Sequence, residues 1–170
     1  MGPLKMSGDP PSAVIVQIGV SQGGVPKRAV TQVQVTPVGI VGDSWRYPFH
    51  GGKRRAILLI TSEGIDYLIS QGFPIFHGAL GENITTRGLN HHNLRIGQRY
   101  RAGEATIELS EIRVPCATLS VYGKDIQAAM YDAHVQAGDS SSRRWGLSGF
   151  YASVVQSGIV RTSDRISLVQ

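Results

Sequence analysis

The first regular feature along the chain is a β-rich run, Ala13-Val14-Ile15-Val16-Gln17-Ile18-Gly19-Val20, which Gln22-Gly23-Gly24-Val25-Pro26 breaks. From Val30 to Thr36 apolar and polar residues alternate. Val33 and Val35 fall on one face and Gln32 and Gln34 on the other, the period-two signature of a half-buried strand, which Pro37 ends. A turn-rich stretch from Val38 to Lys53 follows. Ala56-Ile57-Leu58-Leu59-Ile60 is then apolar throughout, as expected of a strand covered on both faces. Thr61-Ser62-Glu63 opens a predicted helix with Thr61 or Ser62 as its cap; Ile65, Leu68 and Ile69 form its buried stripe and Gly72 ends it.

Residues 73–97 read as loop, with the β-branched Thr85-Thr86 suited to a strand entry. Gln98 to Arg101 and Ala105 to Ile112 predict two strands, the second with Ala105, Ile107 and Leu109 on one face. Lys124 to His134 predicts a short helix, with Ile126, Ala129, Met130 and Ala133 at helical spacing. The remainder is β again: Gly149 to Val155, Ile159 to Thr162 and Arg165 to Val169. Many short strands with frequent turns and only two short helices predict a mainly β fold, a β-barrel with short helical insertions. Residues 13–170 read as one domain. Residues 1–12 read as a flexible lead-in with the Gly/Ser/Pro flavour of a vector-derived tail.

Composition narrows the classes. The chain has 170 residues, 41% of them hydrophobic, enough for a core without disulfides or a structural metal. Its longest apolar run, Ala56 to Ile60, falls far short of the roughly 20 residues of a bilayer-spanning helix. No secretory leader precedes the first strand, so the cytoplasm is the expected compartment. Cys116 is the only cysteine, which excludes an internal disulfide and a cysteine-rich zinc site. The net charge of +5 rests on 13 arginines and 4 lysines against 7 aspartates and 5 glutamates. Such an arginine bias suits an anionic partner, a nucleic acid or a small phosphorylated ligand, although a merely solvated basic surface has the same composition.

Three loops carry candidate chemistry. Pro48-Phe49-His50-Gly51-Gly52-Lys53-Arg54-Arg55 sets an imidazole, two glycines and three cations directly before the apolar strand, an arrangement suited to phosphate or carboxylate. Gly78-Ala79-Leu80-Gly81-Glu82-Asn83 is a second glycine loop, whose Glu82 and Asn83 suit either a ligand contact or plain turn geometry. Arg113-Val114-Pro115-Cys116 ends the strand Ala105–Ile112. A lone cysteine is ordinarily a small buried hydrophobe, but a nearby cation favours the thiolate, which attacks electrophiles and binds soft metals. The pair His91-His92 makes a poor metal site, and no metalloprotease, nucleophile-elbow, P-loop or dinucleotide fingerprint is present. Trp45, Tyr47 and Phe49 interleave with Arg46, as a base-stacking loop or as packing over a barrel mouth.

Taken in order, these segments resemble the MOSC family, named after the C-terminal domain of molybdenum-cofactor sulfurase. The resemblance runs from about Val14 to Leu168. It rests on Gly23-Gly24-Val25-Pro26-Lys27, Gly39-Ile40-Val41-Gly42-Asp43, His50-Gly51-Gly52 with Arg55-Ala56, Gly81-Glu82-Asn83, Arg113-Val114-Pro115-Cys116, and Gly158 with Asp164-Arg165-Ile166. It implies a MOSC-type β-barrel with a pocket for the molybdenum cofactor (molybdopterin), and Cys116 as metal ligand or sulfur carrier. It further implies that His50, Gly51, Gly52, Arg55, Gly81, Glu82 and Asn83 line the cofactor site, with Arg113 tuning the thiolate or steering an anionic group. Stand-alone relatives resemble reductases of N-hydroxylated bases and amidoximes, so the implied substrate is a small N-hydroxylated molecule and the implied partner a separate electron-donor protein. No pyridoxal-phosphate domain is expected in this chain. Two other functions fit the residues: a persulfide carrier fed by a sulfur donor, and a basic nucleic-acid-binding barrel. The spread of the arginines along the chain argues against the last.

Overall fold

A computed structural model describes residues 13–45, 47 and 50–169, so the lead-in 1–12 and the aromatic Phe49 lie outside the described residues. In chain order the elements are β1 (Ala13–Val20), β2 (Arg28–Val30), β3 (Gln32–Thr36), β4 (Gly39–Ile40), β5 (Ile57–Thr61), α1 (Ser62–Ser70) and β6 (Ile84–Arg87). There follow β7 (Arg99–Ala102), β8 (Ala105–Ile112), α2 (Ile126–Met130), α3 (Ala133–Gln136), β9 (Phe150–Gln156), β10 (Gly158–Arg161) and β11 (Arg165–Leu168). Seven strands close on themselves in the order β1-β11-β7-β8-β9-β5-β6, with β6 returning to β1. β2 pairs with the far end of β1, and β10, β3 and β4 form a separate three-stranded sheet. The expected mainly β barrel is the observed fold. No helix among the described residues is long and apolar enough to cross a membrane.

The uninterrupted apolar character of β5 has a direct cause. Ile57 and Leu59 point into the barrel beside Ile15, Ile18, Ile84, Leu109 and Phe150. Leu58 and Ile60 point outward into a second cluster with Ile65, Leu68, Leu80, Leu119, Ile126 and Met130. Burial on both faces accounts for the apolar run 57–60, and the polar Thr61 stands only at the end, where it caps α1. β5 pairs antiparallel with β9 but parallel with β6, and the crossover between β5 and β6 carries α1.

Thr61 caps α1 by accepting a hydrogen bond from the Gly64 N–H at 3.1 Å, and its hydroxyl also meets His91 Nδ1 at 3.1 Å. His91 is thus a buried structural residue, and burial followed by the neighbouring His92 lowers its pKa to about 4. Thr61→Ala removes both contacts and should cost about 1–2 kcal/mol in urea unfolding. Ile69 departs from the expected buried stripe and is 45% exposed. The helix meets the fold through Gly64, Ile65 and Leu68, which leaves Ile69 at the edge of that face.

The stretch Lys124 to His134 is two helices instead of one. Tyr131 and Asp132 are extended, and Asp132 Oδ1 accepts from the Val135 N–H at 2.8 Å, so an aspartate that caps a helix starts α3 afresh. Val135, and not Ala133, is consequently the residue that α3 buries. β6 is a full strand despite its polar Thr85 and Thr86. It is held by β1 on one side and β5 on the other.

Candidate active site

Cys116 lies where β8 has ended and a six-residue 3-10 turn, Ala117–Tyr122, begins. A register shift between Leu109 and Glu111 bends β8 just upstream. The Gln127 side chain holds the loop by donating to the Pro115 carbonyl at 3.0 Å. The thiol is partly exposed and forms part of the wall of a cavity of about 630 Å³, counted with its open mouth. Burial alone would raise its pKa. The Thr118 hydroxyl and N–H, the Arg113 guanidinium and the Leu119 N–H outweigh that effect, so the net shift is downward and favours thiolate.

Arg113 shares that wall, yet the side chain is buried. Its Nη2 donates to the Leu80 carbonyl at 2.7 Å, Nη1 reaches the Ser148 carbonyl at 3.4 Å, and its own carbonyl accepts from the Ser148 hydroxyl at 2.6 Å. It is therefore a fixed positive charge built into the scaffold. Arg55 also lines the cavity, paired with Glu111 and with its guanidinium 5.1 Å from the centre of the Tyr151 ring. His50 also lines the cavity, and burial, then Arg113, Arg55 and Lys27, hold its imidazole below the usual pKa. The three cations thus reinforce the effect of burial on this ring.

Lys27, which sequence reasoning left without a role, is 8% exposed and also faces the cavity. Its Nζ lies 2.7 Å from Asp43 Oδ1 and 3.3 Å from Ser21 Oγ. Asn83 completes this network: Nδ2 donates to Asp43 Oδ2 at 2.9 Å and to the Gly19 carbonyl at 3.1 Å, while Oδ1 accepts from the Leu58 N–H at 3.0 Å. Pro26-Lys27 and Gly42-Asp43 were visible as segments of the resemblance. Their union across sixteen residues is a tertiary fact that spacing does not reveal.

Of the residues singled out from sequence, the structure brings His50, Arg55, Gly81, Asn83, Arg113 and Cys116 around this one cavity. Gly51, Gly52 and Glu82 are not on its lining. Gly51 instead underlies Trp45: a Cβ there would fall 2.1 Å from two indole carbons. Gly52, at φ +101°, opens the 3-10 turn Lys53–Arg55. Glu82 is fully buried, and neither carboxyl oxygen reaches a hydrogen-bond partner among the described residues. Burial pushes its pKa up to about 7, although the amides of Glu82, Gly78 and Leu80 and the charge of Arg113 pull the other way. No cluster of three or more metal-ligating His, Cys, Asp or Glu side chains occurs among the described residues. A metal here would need ligands beyond those of the protein. One soft sulfur on a wall shared with Lys27, Arg55 and Arg113 fits a metal that arrives already chelated on an anionic carrier.

Comparison with known proteins places this cavity in context. The uncharacterised protein YflK of Bacillus subtilis is 29% identical over 123 residues, 71% of this chain and 50% of that protein. Protein YiiM of Escherichia coli is 33% identical over 97 residues, covering 54% and 43% of the two chains. A protein named "Reductase" from Gibberella moniliformis is 28% identical over 137 residues, 78% of this chain but 23% of its own length. The chain thus spans half or less of these relatives. The crystal structure of YiiM from Geobacillus stearothermophilus superposes with a TM-score of 0.69 at 28% identity, covering 93% of this chain and 75% of that one. The family model of the MOSC domain matches residues 46–167, and the chain belongs to the MOSC domain family.

Proposed function

We propose that the cavity holds the molybdenum cofactor with Cys116 as the protein's ligand to the metal, and that the chain reduces small N-hydroxylated substrates with electrons from a separate donor protein. The observation that carries this reading is the placement of the only cysteine, its thiol biased toward thiolate, on a cavity that also presents three cationic side chains. A thiolate is a soft donor suited to a dithiolene-bound metal. Lys27 and Arg55 at the wall, with the backbone of the Gly24 and Gly81 loops, suit the phosphate of the cofactor. When bound, the cofactor supplies a two-electron redox centre. Arg113, a fixed charge in the same wall, adds to the Thr118 hydrogen bonds that bias the Cys116 sulfur toward thiolate. The relative named as a reductase supports the reaction class. The overall conversion takes R–NHOH, two electrons and two protons to R–NH2 and water.

The test is elemental analysis of protein made in a cofactor-competent host. Wild type should carry molybdenum, and Cys116→Ser should lose most of it together with N-hydroxy reduction. A Cys116→Ser protein that keeps both overturns the ligand assignment. The same exposed, thiolate-biased sulfur also suits a persulfide carrier. A one-sulfur mass increase on Cys116 after incubation with a cysteine desulfurase, without reductase turnover, would select that reading.

A further inference from the structure

Trp45 lines the same cavity as Cys116 and is held there by two glycines. The Cβ that Gly51 lacks would lie 2.1 Å from Cδ2 and Cε2 of the indole and 2.5 Å from Cε3. Those atoms surround the ring junction, so the flat of the indole rests on the Gly51 α-carbon. Gly39, at φ +127°, lies under the far edge, where a Cβ would come within 3.2 Å of Cζ2. Any side chain at position 51 would evict the ring. A tryptophan seated on backbone in this way is a fixed plate, yet it remains 38% exposed. The fold therefore holds a large apolar plane at a cavity wall without burying it. An aromatic ring laid on such a plane gains stacking energy beyond burial, whereas a saturated ring gains burial alone. Val25 and Val114, also on the wall, offer either ring the same apolar contact.

We propose that Trp45 is a specificity-determining shelf that stacks the planar ring of an aromatic N-hydroxylated amine, so that the site prefers aromatic to saturated substrates. The identity of the reacting group rests on the reductase reading above; the stacking does not. In the reaction Ar–NHOH loses its N–O bond, accepts two electrons from the donor protein and two protons from solvent, and leaves as Ar–NH2 and water.

The protein has two tryptophans, and their indole Nε1–H signals in a 15N correlation spectrum give a reporter and a control. Trp145 is buried, and its Nε1–H donates to the Leu94 carbonyl at 2.8 Å, so its signal should stay still. The Trp45 signal, assigned by its loss in Trp45→Leu, should move on anaerobic addition of phenylhydroxylamine. Binding of that compound should be about two- to tenfold tighter than binding of N-cyclohexylhydroxylamine, its saturated counterpart. In Trp45→Leu the preference should vanish. Gly51→Ala should also abolish it, with the Trp145 signal unchanged as proof of an intact fold. A Trp45 signal indifferent to both compounds, as when the pterin of the cofactor already covers the indole, overturns the proposal. So does a preference that survives Trp45→Leu. Because the titration reads binding, it stands or falls separately from the Cys116→Ser experiment: molybdenum loss without a ring preference sinks only the shelf, and a ring preference in a protein that never binds molybdenum sinks only the reductase reading.

Discussion

Asn83→Ala should destabilise the protein by about 4 kcal/mol and lower its thermal midpoint by roughly 10 °C, the largest effect expected from any residue at this cavity. The side chain contributes no apolar packing of note; its value is three hydrogen bonds, two buried and the third, to Asp43, partly so. Removing it leaves the Leu58 N–H, the Gly19 carbonyl and one oxygen of Asp43 without the partners they have now. Each orphaned buried group costs about 1–3 kcal/mol, more where a charge is involved. The backbone of Asn83 also bonds to both neighbours, from its N–H to the Leu58 carbonyl and from the Gly19 N–H to its carbonyl, each at 2.8 Å. Side chain and main chain therefore clamp β1 to β5 immediately before β6 starts. Asn83→Asp is the sharper variant. It keeps the acceptor for Leu58 but deletes both donors and sets a second carboxylate against Asp43, so it should be at least as damaging near neutral pH. Urea unfolding of both variants decides the matter. A loss below about 1.5 kcal/mol for alanine would mean that water replaces the amide and that the clamp is not structural.

The clamp also explains why the site was only partly readable from sequence. β3 and β8 announce themselves by alternation, β1 by its run of β-branched residues and β5 by four apolar positions in a row, because burial on one face or on two writes directly into residue order. β6 did not, since a four-residue strand with two buried threonines has no apolar pattern to display. Cys116 and Arg113 were legible together because they are close in sequence at the end of a strong strand. Lys27 and Asp43 were not, because the contact that gives them meaning is made only after the barrel closes. Glu82 shows a different limit. Gly81 and Asn83 face the cavity, but Gly81 closes a turn at φ +87°, its N–H bonded to the Gly78 carbonyl at 3.2 Å. The carboxylate between these two lining residues is buried and off the lining, and it acts on Arg113 and Tyr122. Gly51 is fixed by an aromatic residue six positions earlier and not by a ligand, a reason for glycine that no motif states.

Glu82→Gln should make the protein more stable than wild type at pH 8 by up to about 3 kcal/mol, while leaving it within about 1 kcal/mol at pH 5. The direction follows from which state holds the proton. In the folded chain the carboxyl titrates near pH 7, against 4.5 for an unburied glutamate. Between those two values the native protein keeps a proton that the unfolded chain releases. Stability therefore falls as pH rises through this window, and the whole penalty is present above pH 7, where a carboxylate must exist fully buried, with burial outweighing the nearby amides and Arg113. Besides the amides of Glu82, Gly78 and Leu80, two side chains act there: the Arg113 guanidinium, which favours the charged form, and the Tyr122 hydroxyl, whose ionisation burial and Glu82 disfavour. Arg113 softens the penalty without abolishing it, since burial still outweighs its charge. Glutamine has nearly the shape of the protonated acid and no charge to bury at any pH, so the slope between about pH 5 and 7 should flatten. Urea unfolding of both proteins at intervals across that range measures the slopes directly. Parallel curves would mean that Glu82 is ionised throughout, with Arg113 neutralising it fully, and the proton would then be held elsewhere. Glutamine equal to glutamate at low pH and superior at high pH would instead mean that the acid costs the fold stability at neutral pH.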